Sequence, residues 1–131
     1  MIPRAELRKL ARTRLKDAEI LCQTRRYDGA VYLCGYAVEL LLKARICRTL
    51  NWSGFPETRS EFDQLQSFRT HNLDILLRLS GIESNVKTRY FADWLVVAAW
   101  EPELRYRSAG SATRTAAYEM IQSTKALMGF L

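Results

Sequence analysis

The hydrophobic and polar positions of the chain recur with a helical period over most of its length. The most apolar stretch is 30–43, AVYLCGYAVELLLK, in which Glu39 is the only charged residue before Lys43. A helix that is apolar on nearly every side must be buried around most of its circumference, and this stretch is shorter than the roughly 20 residues that span a bilayer. The pattern therefore predicts the central helix of a helical bundle.

Glu39 and Lys43 are the polar positions of this predicted central helix. A buried carboxylate is costly unless it is paired, and a Glu followed by a Lys four residues later is the favourable spacing for pairing along a helix. Both residues are therefore candidates for a polar centre. The polar centre has two interpretations, a structural ion pair inside the bundle and a functional polar pocket.

The same periodicity predicts further helices, and no β-hairpin signal interrupts them. The predicted helices are 3–24, 28–50 with Asp28 as its N-cap, 71–79 with Thr70 or Asn72 as its cap, 84–100 and 111–131. Residues 51–69 are expected to be irregular, with one short helix near Phe62. Residues 90–100, YFADWLVVAAW, carry one charge and predict a second central helix. The chain is therefore expected to be one all-α domain over residues 1–131.

The charge pattern adds a candidate surface on the first predicted helix. The net charge is +6, which permits contact with an acidic partner. Arg4, Arg8 and Arg12 step along one ridge of the helix at intervals of four residues. One interpretation of this basic face is phosphate or nucleic-acid binding. The other is a solvated face, because acidic residues are interspersed along the same helix.

Several chemistries are excluded by what the sequence lacks. Cys22, Cys34 and Cys47 form no CxxC pair, which argues against a zinc or redox motif and against a disulfide framework. No glycine-rich phosphate loop and no His or Asp cluster suggests a metal or a cofactor, so none is expected. The N-terminal residues lack the apolar core of a signal peptide. A cytoplasmic protein with no membrane segment is the expectation.

Three segments of the chain, taken together, resemble a known family. They are YDGAVYLCGYAVELLLKA at 27–44, THNLDILLRLSG at 70–81 and WEPELRY at 100–106. In this order they resemble the HEPN family (higher eukaryotes and prokaryotes nucleotide-binding domain). The resemblance implies an up-and-down bundle of four to five helices, commonly homodimeric, in prokaryotic cells. Many members resemble RNA-cutting toxins paired with a small nucleotidyltransferase antitoxin, and others are non-catalytic modules that bind nucleotides, RNA or a nucleotidyltransferase.

The catalytic members of that family carry an Arg followed, after four to six residues, by a His. Such a pair suits RNA cleavage, which needs a base near neutral pKa and a cation for the charge that develops on phosphorus. Neither Arg105 nor Arg107 is followed by a histidine at this spacing, and the single histidine, His71, has no arginine at the mirror positions. The resemblance therefore implies a non-nuclease member without catalytic residues. The alternative is a variant ribonuclease that uses Arg105, Tyr106 and Arg107.

Arg105, Tyr106 and Arg107 remain candidates for binding as well. The Arg105 guanidinium could reach the Glu39 carboxylate, or it could bind phosphate while Tyr106 stacks on a base. His71, at a helix start, is expected to be a cap or a hydrogen-bonded packing residue.

The apolar surface of the last two predicted helices favours a homodimer, because a monomer would leave a large apolar patch in water. The predicted contacts of that dimer are Trp94, Val97, Trp100, Tyr118 and Ile121. A nucleotidyltransferase, and nucleotide or RNA, are the other expected partners, and a toxin–antitoxin or defence setting fits them.

Overall fold

The computed structural model describes the backbone of residues 1–131 and every side chain except that of Arg105. It confirms the predicted all-α class, because helices form a bundle and the β structure described is one short strand pair. The α-helices are α1 Arg4–Gln23, α2 Tyr27–Thr49, α3 Leu73–Leu79, α4 Glu83–Arg89, α5 Phe91–Ala98 and α6 Arg114–Phe130. The strands are β1 Ile2–Pro3 and β2 Gly54–Phe55, and short 3-10 helices lie at Gln66–Phe68 and Pro102–Tyr106.

Helix α2 is the centre of the bundle, as its apolar sequence predicts. It packs against α1, α3, α6 and β2. Its buried residues cover most of the helix circumference, and the remaining side is a partly exposed ridge of Leu33, Tyr36 and Leu40 that ends at Lys43. They are Ala30, Cys34, Gly35, Ala37, Val38, Glu39, Leu41, Leu42, Ala44, Ile46 and Cys47.

Helix α1 forms an antiparallel hairpin with α2. Its buried stripe is Leu7, Ala11, Leu15 and Ala18, which recur every three or four residues. Arg25, in the connection, adopts a left-handed backbone conformation (φ 63°) that reverses the chain within a few residues. The polar sides of α1 remain exposed, and they include most of the basic face.

The predicted capping role of Asp28 is wrong. Helix α2 begins at Tyr27, so Arg26 holds the N-cap position and Asp28 lies within the first helical turn. The Asp28 carboxylate accepts hydrogen bonds from the backbone N–H groups of Gly110 (2.6 Å) and Ala112 (2.7 Å) instead. A residue of a type that suits the start of its own helix thus holds a distant loop.

The predicted helix 84–100 is two helices, α4 and α5, separated by a break at Tyr90 (φ −129°, ψ 34°). The Tyr90 ring packs against Phe130 with centroids 5.1 Å apart, and this tertiary contact coincides with the break. The prediction of a second central helix is also wrong. Helix α5 buries Trp94 and Val97 but exposes Phe91 and Leu95, so it lies at the edge of the bundle.

The segment after α2 is tied to the N-terminus by the strand pair. Ile2 lies opposite Phe55 and Pro3 opposite Gly54 in an antiparallel register. Phe55 and Phe62 are buried with their rings in edge contact, which covers one end of the bundle. Turns, rather than the predicted short helix, surround Phe62. The last helix, α6, begins three residues later than predicted, with the Thr113 hydroxyl accepting from the Ala116 N–H as its cap.

Candidate functional site

The predicted polar centre exists, and it contains a residue from a second segment of the chain. Glu39 is only 2% exposed. One carboxylate oxygen accepts from the Lys43 ammonium at 3.3 Å, and the other is 2.7 Å from Nδ1 of His71. Because a carboxylate only accepts hydrogen bonds, Nδ1 carries the proton in this contact. Each oxygen of the buried carboxylate is therefore paired, which offsets the cost of burying it.

The two partners of Glu39 are held from different sides. The Lys43 ammonium also lies over the Phe55 ring, 5.2 Å from its centroid, so β2 helps to place it. His71 precedes α3, whose N-cap is Asn72, with its side-chain oxygen accepting from the Ile75 N–H at 3.1 Å. The His71 side chain is 60% exposed, whereas that of Lys43 is 16% exposed. The polar centre thus links α2, β2 and the start of α3, and the imidazole of His71 is its surface-exposed member.

The residues after α5 do not share this site. The Arg107 guanidinium donates to Glu101 at 3.1 Å, and both side chains are largely exposed. The predicted contact between Arg105 and Glu39 requires the Arg105 side chain, which lies outside the described part of the structure. Asp28, which holds this loop, and Glu39 are eleven positions apart on α2, or about 16 Å along the helix axis. His71 and the loop of Arg107 are therefore held by different turns of α2.

A groove of about 730 Å³ lies beside that loop. Apolar side chains from α2, α5 and α6 line most of it, among them Tyr32, Leu95 and Met120. Its charged lining residues are Asp28, Arg107 and Glu119. An apolar hollow of this size with few polar groups is typical of a binding site.

Trp100 closes one wall of the groove by lying against α2. Its indole N–H donates to the Tyr32 carbonyl at 3.1 Å, and its ring makes an edge contact with Tyr36. Gly35 permits this approach, because a Cβ there would come closer than 3.0 Å to the indole ring. No sequence pattern singles out Gly35, since a glycine in a helix has several explanations.

The basic face is larger in the structure than in the sequence. Arg4 and Arg12 are exposed and Arg8 is partly buried, and α2 adds Arg45 and Arg48 beside them. Burial lowers the pKa of Arg8, and the charges of Arg12, Arg4 and Arg48 lower it further. Burial and then the charges of Arg48, Arg4 and Arg8 lower the pKa of Arg45 in the same way. These five residues, called the arginine face below, repel one another.

Two of the three acidic residues of α1, Asp17 and Glu19, are paired with residues outside the basic face, and Glu6 remains exposed. Asp17 is 3.7 Å from Arg14, and Glu19 is 3.6 Å from Lys125 on α6. No ion pair within the described side chains involves a member of the arginine face. No sequence pattern assigns Arg45 and Arg48 to the basic face, because only the packing of α1 on α2 brings them to Arg8.

Other chemistries find little support in the described residues. Burial raises the pKa of the Cys34 thiol to about 12, so it is not a nucleophile at neutral pH. Among these residues, no group of three or more His, Cys, Asp or Glu could hold a metal ion. No helix in the described part of the chain is long and apolar enough to cross a membrane.

The chain matches the model of a known family. The model of the HEPN domain matches residues 5–131, which is nearly the whole chain. No curated protein and no solved structure shows significant similarity to it.

Proposed function

Since this chain belongs to the HEPN family, we propose that it is a non-catalytic binding module of that family. In this proposal the protein is a homodimer that binds RNA or nucleotide, and its protein partner is a nucleotidyltransferase in a toxin–antitoxin or defence setting. The alternative is a ribonuclease that uses Arg105, Tyr106 and Arg107 without the usual histidine.

The position of His71 is the observation that carries the non-catalytic proposal. A general base must lie within hydrogen-bond reach of the group it deprotonates. His71 is bonded to Glu39, about 16 Å along α2 from the residue that holds the loop of Arg107. The imidazole and the loop of Arg107 are thus attached to different turns of α2, and this placement supports binding rather than cleavage.

We expect no cleavage when the purified protein is incubated with mixed single-stranded RNA, with or without Mg²⁺ or Mn²⁺. The products are resolved on a denaturing gel. The Arg105→Ala and Arg107→Ala variants, tested in parallel, distinguish the protein's own activity from a contaminating nuclease. Cleavage that either substitution abolishes in a folded protein would establish the variant ribonuclease instead.

The exposed apolar surface supports the homodimer, but at other residues than the sequence predicts. Trp94, Val97, Trp100 and Ile121 are buried within the protomer, so these predicted dimer contacts are wrong. Phe91 and Leu95 are 54% and 58% exposed and lie one turn apart on α5. Leu95 also lines the groove. The fifth predicted contact, Tyr118, is exposed but borders a separate cavity with Cys22 and Arg25.

We therefore expect the dimer to form through Phe91 and Leu95, and light scattering at micromolar concentration to give about twice the chain mass of 15.2 kDa. Leu95→Glu should yield a monomer, because it places a charge on an apolar contact. Tyr118→Glu is the matched control, an equally exposed apolar residue away from that surface, and it should leave the dimer intact. A monomeric wild-type protein would overturn the homodimer.

A further inference from the structure

The arginine face combines residues of α1 and α2 that are distant from one another in the sequence. Arg4, Arg8 and Arg12 rise about 12 Å along α1 at intervals of about 6 Å. Arg45 and Arg48 come from the end of α2, which runs antiparallel beside them. The result is a row of charges two helices wide. Such a row suits a repeating polyanion better than a single compact anion.

The arginine face is costly to the protein when nothing is bound. Five like charges lie close enough to influence one another, and no carboxylate among the described side chains forms an ion pair with them. The Nε–H of Arg45 is buried without a hydrogen-bond partner in the described structure. A buried donor without a partner loses free energy. An anion on this surface would relieve the repulsion.

The residue type indicates which class of anion this surface would bind. All five residues are arginine, whose planar guanidinium donates two parallel hydrogen bonds to one phosphate group. The exposed aromatic side chains Phe91, Tyr106 and Tyr118 belong to α5, the loop after it and α6, and none belongs to the helices that carry the arginine face. No strongly exposed aromatic side chain on these two helices is therefore available for the base stacking that single-strand binders use.

From this arrangement we propose that the arginine face binds the phosphodiester backbone of nucleic acid, independently of base sequence. The choice of RNA as the first probe rests on the proposed function. The surface lies away from the groove and the Arg107 loop, so it is a separate site. It would hold the RNA backbone across the α1–α2 hairpin, with Arg12 and Arg48 among its exposed contacts.

The test compares two double variants that lower the net charge equally. Arg12→Gln with Arg48→Gln removes two exposed members of the arginine face. Arg78→Gln with Arg114→Gln removes two exposed arginines of α3 and α6. Binding is measured by fluorescence anisotropy with short labelled RNA duplexes of two unrelated sequences, with a DNA duplex and with polyglutamate, from about 50 to 200 mM salt.

The wild type should bind both RNA sequences equally, with log affinity falling by about 4 per log unit of salt. The arginine-face variant should bind about tenfold more weakly or worse at low salt, and its salt slope should be shallower by about 2. The control variant should change little. Binding to the DNA duplex but not to the RNA duplexes would support a nucleic-acid site on this surface, with DNA as its ligand.

Thermal melting of the same variants separates binding from stability. Because Arg12 and Arg48 repel Arg8, removing them should leave the melting temperature unchanged or raise it. Three results would each overturn the proposal: no RNA binding at low salt, an equal loss in both double variants, or equal binding to polyglutamate. The first of these results would also remove RNA as a ligand in the proposed function, whereas the other two overturn only this site. Cleavage and dimer mass are unaffected by all three, so the rest of the proposed function is judged separately. Conversely, an RNA-cleaving protein could still bind RNA through this surface.

Discussion

Replacing Glu39 by alanine should lower the free energy of unfolding by about 3 kcal/mol. The carboxylate is buried and bonded to both Lys43 and His71. Its removal leaves the Lys43 ammonium without its counter-charge in a largely buried position, and it leaves a small cavity beside α2. We expect a loss of free energy at the low end for a broken buried pair, because the imidazole of His71 is mostly exposed and can form hydrogen bonds with water instead. Urea unfolding followed by circular dichroism measures the change.

A matched control for Glu39→Ala exists on the surface of the same protein. Glu83 and Lys87 form a Glu–Lys pair at the same spacing and almost the same distance, 3.2 Å, but on the partly exposed helix α4. Glu83→Ala should cost less than about 1 kcal/mol, since surface ion pairs contribute little. Glu39→Gln should fall between the two alanine variants, because it keeps the volume and removes the charge. Equal losses for both alanine variants would contradict the buried polar centre.

Replacing Gly35 by alanine should destabilise the protein by about 2–3 kcal/mol. The new methyl group would lie closer than 3.0 Å to three atoms of the Trp100 indole. The indole is a rigid ring, so it must leave its place, which breaks its hydrogen bond to Tyr32 and its edge contact with Tyr36. The same movement would disrupt the wall of the groove. Denaturant unfolding gives the stability change.

Two controls separate the collision from the general effect of a helical glycine. Gly129 lies in α6 with open space at the Cβ position. Gly129→Ala should therefore stabilise the protein, by up to about 1 kcal/mol. In a Trp100→Ala background the collision is gone, so adding Gly35→Ala should cost almost nothing. An undiminished loss in that background would mean that another contact of Gly35 is responsible.

The polar centre illustrates how far sequence reasoning reaches at one site. The Glu39–Lys43 pair was predictable, because four residues along one helix fix the distance between two side chains. His71 was a candidate for other reasons, but its bond to Glu39 joins residues 32 positions apart. No local pattern encodes that contact. The prediction for Asp28 was wrong, because its side chain does not cap its own helix. Its carboxylate instead contacts residues 110 and 112, which are distant in the sequence.

The sequence by itself determined the all-α class, the burial of α2 and the extent of α1, which was predicted over 3–24 and runs from Arg4 to Gln23. These follow from hydrophobic periodicity, which is a property of each segment alone. Only the tertiary structure decided where the helix before the last loop breaks, which apolar side chains remain exposed and which arginines lie together. Those features depend on how neighbouring helices pack, since a side chain on α5 is buried or exposed according to the surface beside it. Periodicity identifies the faces of a helix, and packing decides which face another element covers.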